Sequence, residues 1–157
     1  FVYLPGGYPE LYLAALSANR QMLQSIRRYV ESGGKLLAEC GGMMYLCDEI
    51  RDKNGDVYPM AGVLHQSATM ENMKLRLGYR TLLYNETRLK GHEFHYSRLV
   101  EQQNPLPSCA VAYTAKGVET DTPLYHYKNV WAGYTHLYWA DPVGNEWFTK
   151  FVIDGNT

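Results

Sequence analysis

Only three cysteines, Cys40, Cys47 and Cys109, occur in the 157 residues. The odd count and wide spacing argue against a disulfide framework and suit a reduced, cytoplasmic setting. No run of about 18 apolar residues is present, so no membrane-spanning helix is expected. No charged-then-apolar leader is visible either. Neither sign of charge is in surplus: 15 Lys plus Arg against 16 Asp plus Glu leave a net charge of -1. A nucleic-acid or anionic-membrane partner calls for a basic excess, so neither is expected. No Cys-x-x-Cys or His-x-x-x-His pair offers metal-ligand spacing, and no metal site is expected. A Gly-x-x-x-x-Gly-Lys-Ser/Thr phosphate loop is also missing, so nothing here is expected to cradle ATP.

What remains is globular composition, with 46% hydrophobic and 20% charged residues. The length suits one domain, able to bury about two-thirds of its unfolded surface. Tyr is frequent, at 14 residues, and its amphipathic ring suits clefts and interfaces as well as cores. The chain opens on an apolar run, Phe1-Val2-Tyr3-Leu4, as though it began inside a strand. Pro5-Gly6-Gly7 stops that run. Residues 9–17 have helical composition. Residues 20–32 predict an amphipathic helix with Met22, Leu23, Ile26, Tyr29 and Val30 on one face. Gly33-Gly34 would end it. Residues 35–38 predict a buried strand, and 41–47 a short helix. The alternation of strand and helix favours an open α/β sheet with parallel strands.

The second half reads as antiparallel. Residues 52–56 form a turn, and 75–84, 92–99, 109–114 and 130–137 predict strands. Residues 124–127 are expected to pair with 130 onward through a turn at Lys128-Asn129. Asp141-Pro142 starts a final helix as N-cap and first helical residue, with Trp147, Phe148, Phe151 and Val152 facing inward.

The segment Leu36-Leu37-Ala38-Glu39-Cys40-Gly41-Gly42 has the form of a nucleophile elbow: an apolar strand, a sharp turn with small neighbours, then a helix. The helix start is expected to lower the thiol pKa. The Gly41 N–H would be free to bind an oxyanion. A buried structural cysteine beside a turn fits the same residues. A second loop, Leu4-Pro5-Gly6-Gly7-Tyr8-Pro9, also follows a strand, and Gly7 could supply another N–H at the same sheet edge. A plain Pro-Gly turn fits that loop too.

Residues 4–10 (Leu-Pro-Gly-Gly-Tyr-Pro-Glu) and 38–46 (Ala-Glu-Cys-Gly-Gly-Met-Met-Tyr-Leu) resemble the glutamine amidotransferase domain of the cobyrinic acid a,c-diamide synthase family. So do Gly91-His92-Glu93-Phe94-His95-Tyr96-Ser97 and Gly133-Tyr134-Thr135-His136-Leu137-Tyr138-Trp139. The resemblance implies a class I amidotransferase, flavodoxin-like fold: a mostly parallel sheet flanked by helices, with added antiparallel strands, over residues 1–157. It implies that Cys40 attacks glutamine, that His136 raises its nucleophilicity, and that Gly7 and Gly41 bind the oxyanion. Glu93 and His92 are candidates for an orienting or binding role, and a structural ion pair fits Glu93 equally well. His92 and His95, three apart on one strand, are expected on opposite faces. His65 and His126 read as surface or cleft residues. Where triad-type relatives place Glu two residues after the His, this chain has Tyr138, a departure shared with the cobyrinate subgroup. Ala38 replaces a frequent Gly.

The resemblance further implies that the domain's first strands, and an N-terminal synthetase domain binding ATP, Mg²⁺ and a corrinoid acceptor, lie outside these residues. This chain would then hydrolyse glutamine and supply ammonia for amidation of the a and c carboxylates of cobyrinic or hydrogenobyrinic acid. Cobyric acid synthase, nickel-sirohydrochlorin diamide synthase and the lipid II amidating enzyme have similar domains and stand as alternatives. A cysteine hydrolase on a related fold and an inactive interaction domain are the other readings.

Overall fold

The computed structural model describes residues 1–154. The chain begins with β1 (Val2–Leu4), a 3₁₀ turn over Pro9–Leu11, and helices α1 (Leu13–Ala18) and α2 (Arg20–Glu31). Gly33, at φ 90°, ends α2: its N–H bonds the Val30 carbonyl and the Gly34 N–H bonds that of Tyr29. That is a Schellman closure, which the glycine makes possible without Cβ strain. Then come β2 (Leu36–Glu39) and α3 (Gly41–Leu46). Every residue of β2 is buried, as expected of a strand covered on both faces.

Three short strands follow: β3 (Glu49–Arg51), β4 (Val57–Pro59) and β5 (Ser67–Thr69). The turn between β3 and β4 is closed by Asp52 Oδ1, which accepts the N–H groups of Asn54 and Asp56. The chain continues through β6 (Arg76–Tyr84), β7 (Thr87–His95), β8 (Arg98–Leu99), β9 (Val111–Thr114), β10 (Glu119–Thr120), β11 (Leu124–Tyr127), β12 (Val130–Gly133), β13 (His136–Leu137) and α4 (Pro142–Asp154).

Among the described residues these strands make three sheets. The first has the order β1-β2-β12-β11, in which β1, β2 and β12 run parallel and β11 pairs antiparallel to β12 through the predicted turn, with Tyr127 opposite Val130. The second, β10-β9-β6-β7-β13, is antiparallel throughout. The third, β4-β3-β5-β8, joins the short strands. The expected architecture of a parallel sheet with helices and added antiparallel strands is therefore present, with the antiparallel part the larger in strand number.

Alternation along β2 and β12 divides the interior in two. Leu36, Ala38, Val130 and Ala132 pack with α1, α2 and α3. Leu37 and Trp131 face the other way, toward β6, β7 and the Trp147 and Phe151 face of α4. Met22 departs from its expected place on the buried face. It is 50% exposed and borders an apolar groove of about 370 Å³ with Tyr12, Ile26 and Tyr45.

Two predicted strands are broken. Residues 92–99 divide at Tyr96-Ser97, because His95 Nδ1 contacts the Ser97 carbonyl at 2.8 Å and Ser97 Oγ contacts the Tyr134 hydroxyl at 3.0 Å. Residues 130–137 divide at Tyr134-Thr135, where the chain leaves the first sheet for the second. Both breaks lie beside Cys40.

Candidate active site

Parallel pairing sets Leu4 opposite Ala38, and Gly133 opposite Glu39. The loops that leave the carboxyl ends of β1, β2 and β12 therefore meet at one edge, where ligands bind in open α/β sheets. Cys40 stands on the middle loop with φ 49° and ψ -108°. A non-glycine residue holds that strained conformation only when its surroundings fix it, and such strain clusters at functional sites. Here the Cys40 N–H donates to the Gly133 carbonyl at 2.8 Å, and its own carbonyl accepts the Met44 N–H at 3.0 Å. The two following glycines are required by close approach. A Cβ on Gly41 would lie 2.6 Å from the Gly7 carbonyl oxygen, and one on Gly42 would lie 2.2 Å from that of Leu4. The Gly6-Gly7 loop is thus packed directly against the elbow.

The expected fall in the Cys40 pKa is corrected by the structure. Burial pushes the thiol up to about 11, and the Gly41 N–H only partly offsets it. The helix behind it has six residues, and desolvation of a thiolate outweighs so short a dipole. Cys40 is a protonated thiol at neutral pH and needs a base.

His136 is brought to the same edge by β13, which pairs with β7 so that His136 lies opposite His92. Their rings stack, with centroids 4.9 Å apart. Two residues along β7, the Phe94 carbonyl lies 3.7 Å from Cys40 Sγ. One strand thus touches both the thiol and the imidazole's neighbour. Burial, followed by the charges of His92 and His95, holds His136 below the ordinary imidazole value. It is therefore neutral at pH 7 and able to accept a proton.

The Cε1 edge of the imidazole also points at the first loop: a Cβ on Gly6 would come within 2.2 Å of it. Gly6→Ala is expected to push the ring aside and lower glutamine hydrolysis about 10²-fold, because a displacement of about 1 Å costs that much. Steady-state kinetics beside a thermal melt would check this. An unchanged rate would mean that the ring tolerates the shift.

Glu93 lies elsewhere. Alternation along β7 sends Glu93 and His95 to the face opposite His92. There the Glu93 carboxylate pairs with Arg80 at 2.5 Å and with His95 Nε2 at 3.4 Å, nearly all of it buried. That structural ion pair was one of the two expectations, and it leaves no carboxylate of Glu93 beside His136. A residue not singled out from the sequence does lie there. Glu39, immediately before Cys40, has Oε2 3.9 Å from His136 Nδ1. Its chain position next to the thiol was visible, but its partner, 97 residues away, was not.

Residues 1–143 match the family described as the CobB/CobQ-like glutamine amidotransferase domain. The chain belongs to that family. It is 38% identical over 143 residues to a protein named hydrogenobyrinate a,c-diamide synthase from Stutzerimonas stutzeri, a stretch that is 90% of this chain and 33% of that protein. It is 38% identical over 145 residues to a cobyrinate a,c-diamide synthase from Fusobacterium nucleatum, covering 87% of this chain and 31% of the relative. The chain thus spans about a third of the length of the curated relatives it matches. A crystal structure of a glutamine amidotransferase superposes with a TM-score of 0.59 at 19% identity, over 95% of this chain and 77% of that one. The fold is therefore that of a glutamine amidotransferase domain, an enzyme class whose chemistry needs a nucleophile and a base at one edge.

The remaining histidines of this amidotransferase domain lie apart from that edge. His65 is exposed and faces Asp48 at 3.3 Å. His126 stacks on Trp131. Cys47 is fully buried and Cys109 partly so, and no disulfide is formed. Among the described residues, no cluster of three His, Cys, Asp or Glu side chains could hold a metal, and no helix is long and apolar enough to cross a membrane.

Proposed function

We propose that this domain hydrolyses glutamine at Cys40 and delivers the ammonia for ATP-dependent amidation of the a and c carboxylates of cobyrinic or hydrogenobyrinic acid. The strained Cys40 elbow, with a neutral His136 fixed between Gly6 and His92, carries the first half of this reading. The names of the relatives support the second.

The side-chain amide of glutamine sits over Cys40. His136 removes the thiol proton, and the thiolate attacks the amide carbon. The carbonyl oxygen becomes an oxyanion, held by the N–H groups of Gly7 and Gly41. His136 returns the proton to the leaving nitrogen and ammonia departs. Water, activated by the same imidazole, then hydrolyses the glutamyl thioester to glutamate and restores the thiol. A near-neutral chain suits a small zwitterionic substrate, and three unpaired thiols suit the cytoplasm.

These residues carry no Gly-x-x-x-x-Gly-Lys-Ser/Thr phosphate loop. ATP, Mg²⁺ and the corrinoid are assigned to the synthetase part that makes up the other two-thirds of proteins of the relatives' length. The test is the full-length protein offered glutamine, ATP and a panel of acids. The expected product is the a,c-diamide of cobyrinic or hydrogenobyrinic acid, with glutamate released. Amidation of cobyric acid synthase substrates instead, with cobyrinate untouched, would reassign the acceptor and leave the glutaminase half standing.

A further inference from the structure

Glu39 has three contacts, and all of them lead to the reacting edge. It is 3% exposed. Its Oε1 accepts the backbone N–H of Leu137, the residue after His136, at 3.0 Å. Its Oε2 accepts the Tyr3 hydroxyl at 2.7 Å and lies 3.9 Å from His136 Nδ1. A buried carboxylate is costly unless its lone pairs are satisfied. Two hydrogen bonds hold this one in place, and the side of Oε2 turned to the imidazole remains for a charge contact. Because Glu39 directly precedes Cys40, the strand that presents the thiol also presents the carboxylate.

We propose that Glu39 is the positioning residue of the Cys40–His136 pair, replacing a carboxylate two residues after the histidine, where this chain has Tyr138. Through Nδ1 it orients the imidazole so that Nε2 meets the thiol. It stabilises the imidazolium formed when Cys40 gives up its proton. The distance of 3.9 Å is longer than a hydrogen bond, and such contacts tighten when substrate closes the site. The tie to Leu137 fixes the backbone of β13 and so limits where the ring can go. Glu93 cannot serve, because Arg80 and His95 hold it on the other face of β7.

The inference rests on the glutaminase reading, and the test separates the two. The measurement is kcat and KM for glutamine hydrolysis against pH in the full-length protein, for Glu39→Gln, Glu39→Asp and Tyr3→Phe, beside Cys40→Ala. The titratable groups that act on His136 are His92, stacked on it from β7, Glu39 from β2, Tyr3 through Glu39, and His95, through its charge from the other face of β7. All but Glu39 are kept in Glu39→Gln. Removing a negative charge lowers the imidazole pKa, so the acid limb of kcat is expected to move to lower pH. The same variant is expected to lose about 10²-fold in kcat with KM changed less than about threefold. Glu39→Asp, its charge withdrawn by one methylene, is expected to fall between Gln and wild type. Tyr3→Phe removes one of the two bonds on the carboxylate but keeps its charge, so it is expected to lose less kcat than Glu39→Gln and to leave the acid limb in place.

Wild-type kcat in Glu39→Gln, or a loss with an unmoved acid limb, would overturn the proposal. A full loss in Tyr3→Phe would do the same, since it would show a structural clamp. Should Glu39→Gln fail to fold, the Asp variant decides: an intermediate limb supports the role, and wild-type behaviour overturns it. Glutamate release by Cys40→Ala would instead bring down the glutaminase reading itself.

Discussion

Cys40→Ala is expected to abolish glutamine-dependent amidation, by about 10⁴-fold or more, while ammonia-dependent amidation by the same full-length protein continues. The contrast follows from where the thiol stands. Removing Sγ takes away the only atom that the proposed first step joins to substrate. Nothing nearby replaces it: Cys47 faces the interior and is fully buried, and its thiol bonds the Met43 carbonyl. The variant is expected to fold. Alanine is smaller than cysteine, the positive φ at this position is held by bonds to Gly133 and Met44 that the backbone makes, and the contact of Sγ with the Phe94 carbonyl is weak. Free ammonia bypasses the thiol altogether. Glutamate release and acceptor amidation are measured in parallel, each with glutamine and with an ammonium salt. Persistent glutamate release would exclude Cys40 as nucleophile, and loss of both activities would point to collapse of the elbow.

The largest loss of stability is expected from Trp131→Ala, about 3–5 kcal/mol, which lowers the melting midpoint by roughly 10 °C for a chain of this length. Trp131 is completely buried in the middle of β12. Its ring meets Tyr84 edge-on at 4.8 Å, stacks on His126 at 4.1 Å and meets Trp147 edge-on at 5.1 Å. One side chain thereby ties β12 to its neighbour β11, to the antiparallel sheet and to α4. The cavity left behind would be bounded by backbone paired on both sides, which cannot close around it, so the cost belongs toward the upper end of the range. Activity is expected to fall in step, because Gly133, two residues on, accepts the Cys40 N–H. Urea unfolding gives the midpoint and slope together. Trp131→Phe, which keeps an aromatic ring at the junction, is expected to cost less. Equal losses in the two variants would place the stabilisation in the indole alone.

Local features of the site were legible. The run from Leu36 to Ala38, followed by Cys40 and two glycines, encodes strand, elbow and helix within seven residues, and close backbone approach explains each glycine. The Gly33 stop, the turn before Val130 and the Asp141-Pro142 start were equally local. Strands β3, β4 and β5 escaped because each has three residues, too few to show a period. The division of residues 130–137 escaped because no Pro, Asn or Asp marks a turn within it. The switch between sheets is enforced by contacts of Tyr134 with Ser97 and His95, far away in the chain.

The chain's own order of residues therefore marked the candidate groups: a cysteine on a tight turn, glycines on either side, and a histidine after a buried strand. Those are matters of steric permission and short-range periodicity, which neighbouring residues carry. The electrostatic state of the site lay beyond that reach. A helix start beside Cys40 pointed to a lowered thiol pKa, yet burial raises it to about 11. A carboxylate in the matched 91–97 stretch pointed to Glu93, yet pairing with Arg80 removed it and folding set Glu39 by His136 instead. Desolvation and charge pairing depend on atoms that come together only when β2, β7 and β13 meet. The fold decided them, through contacts between residues as far apart as 97 positions.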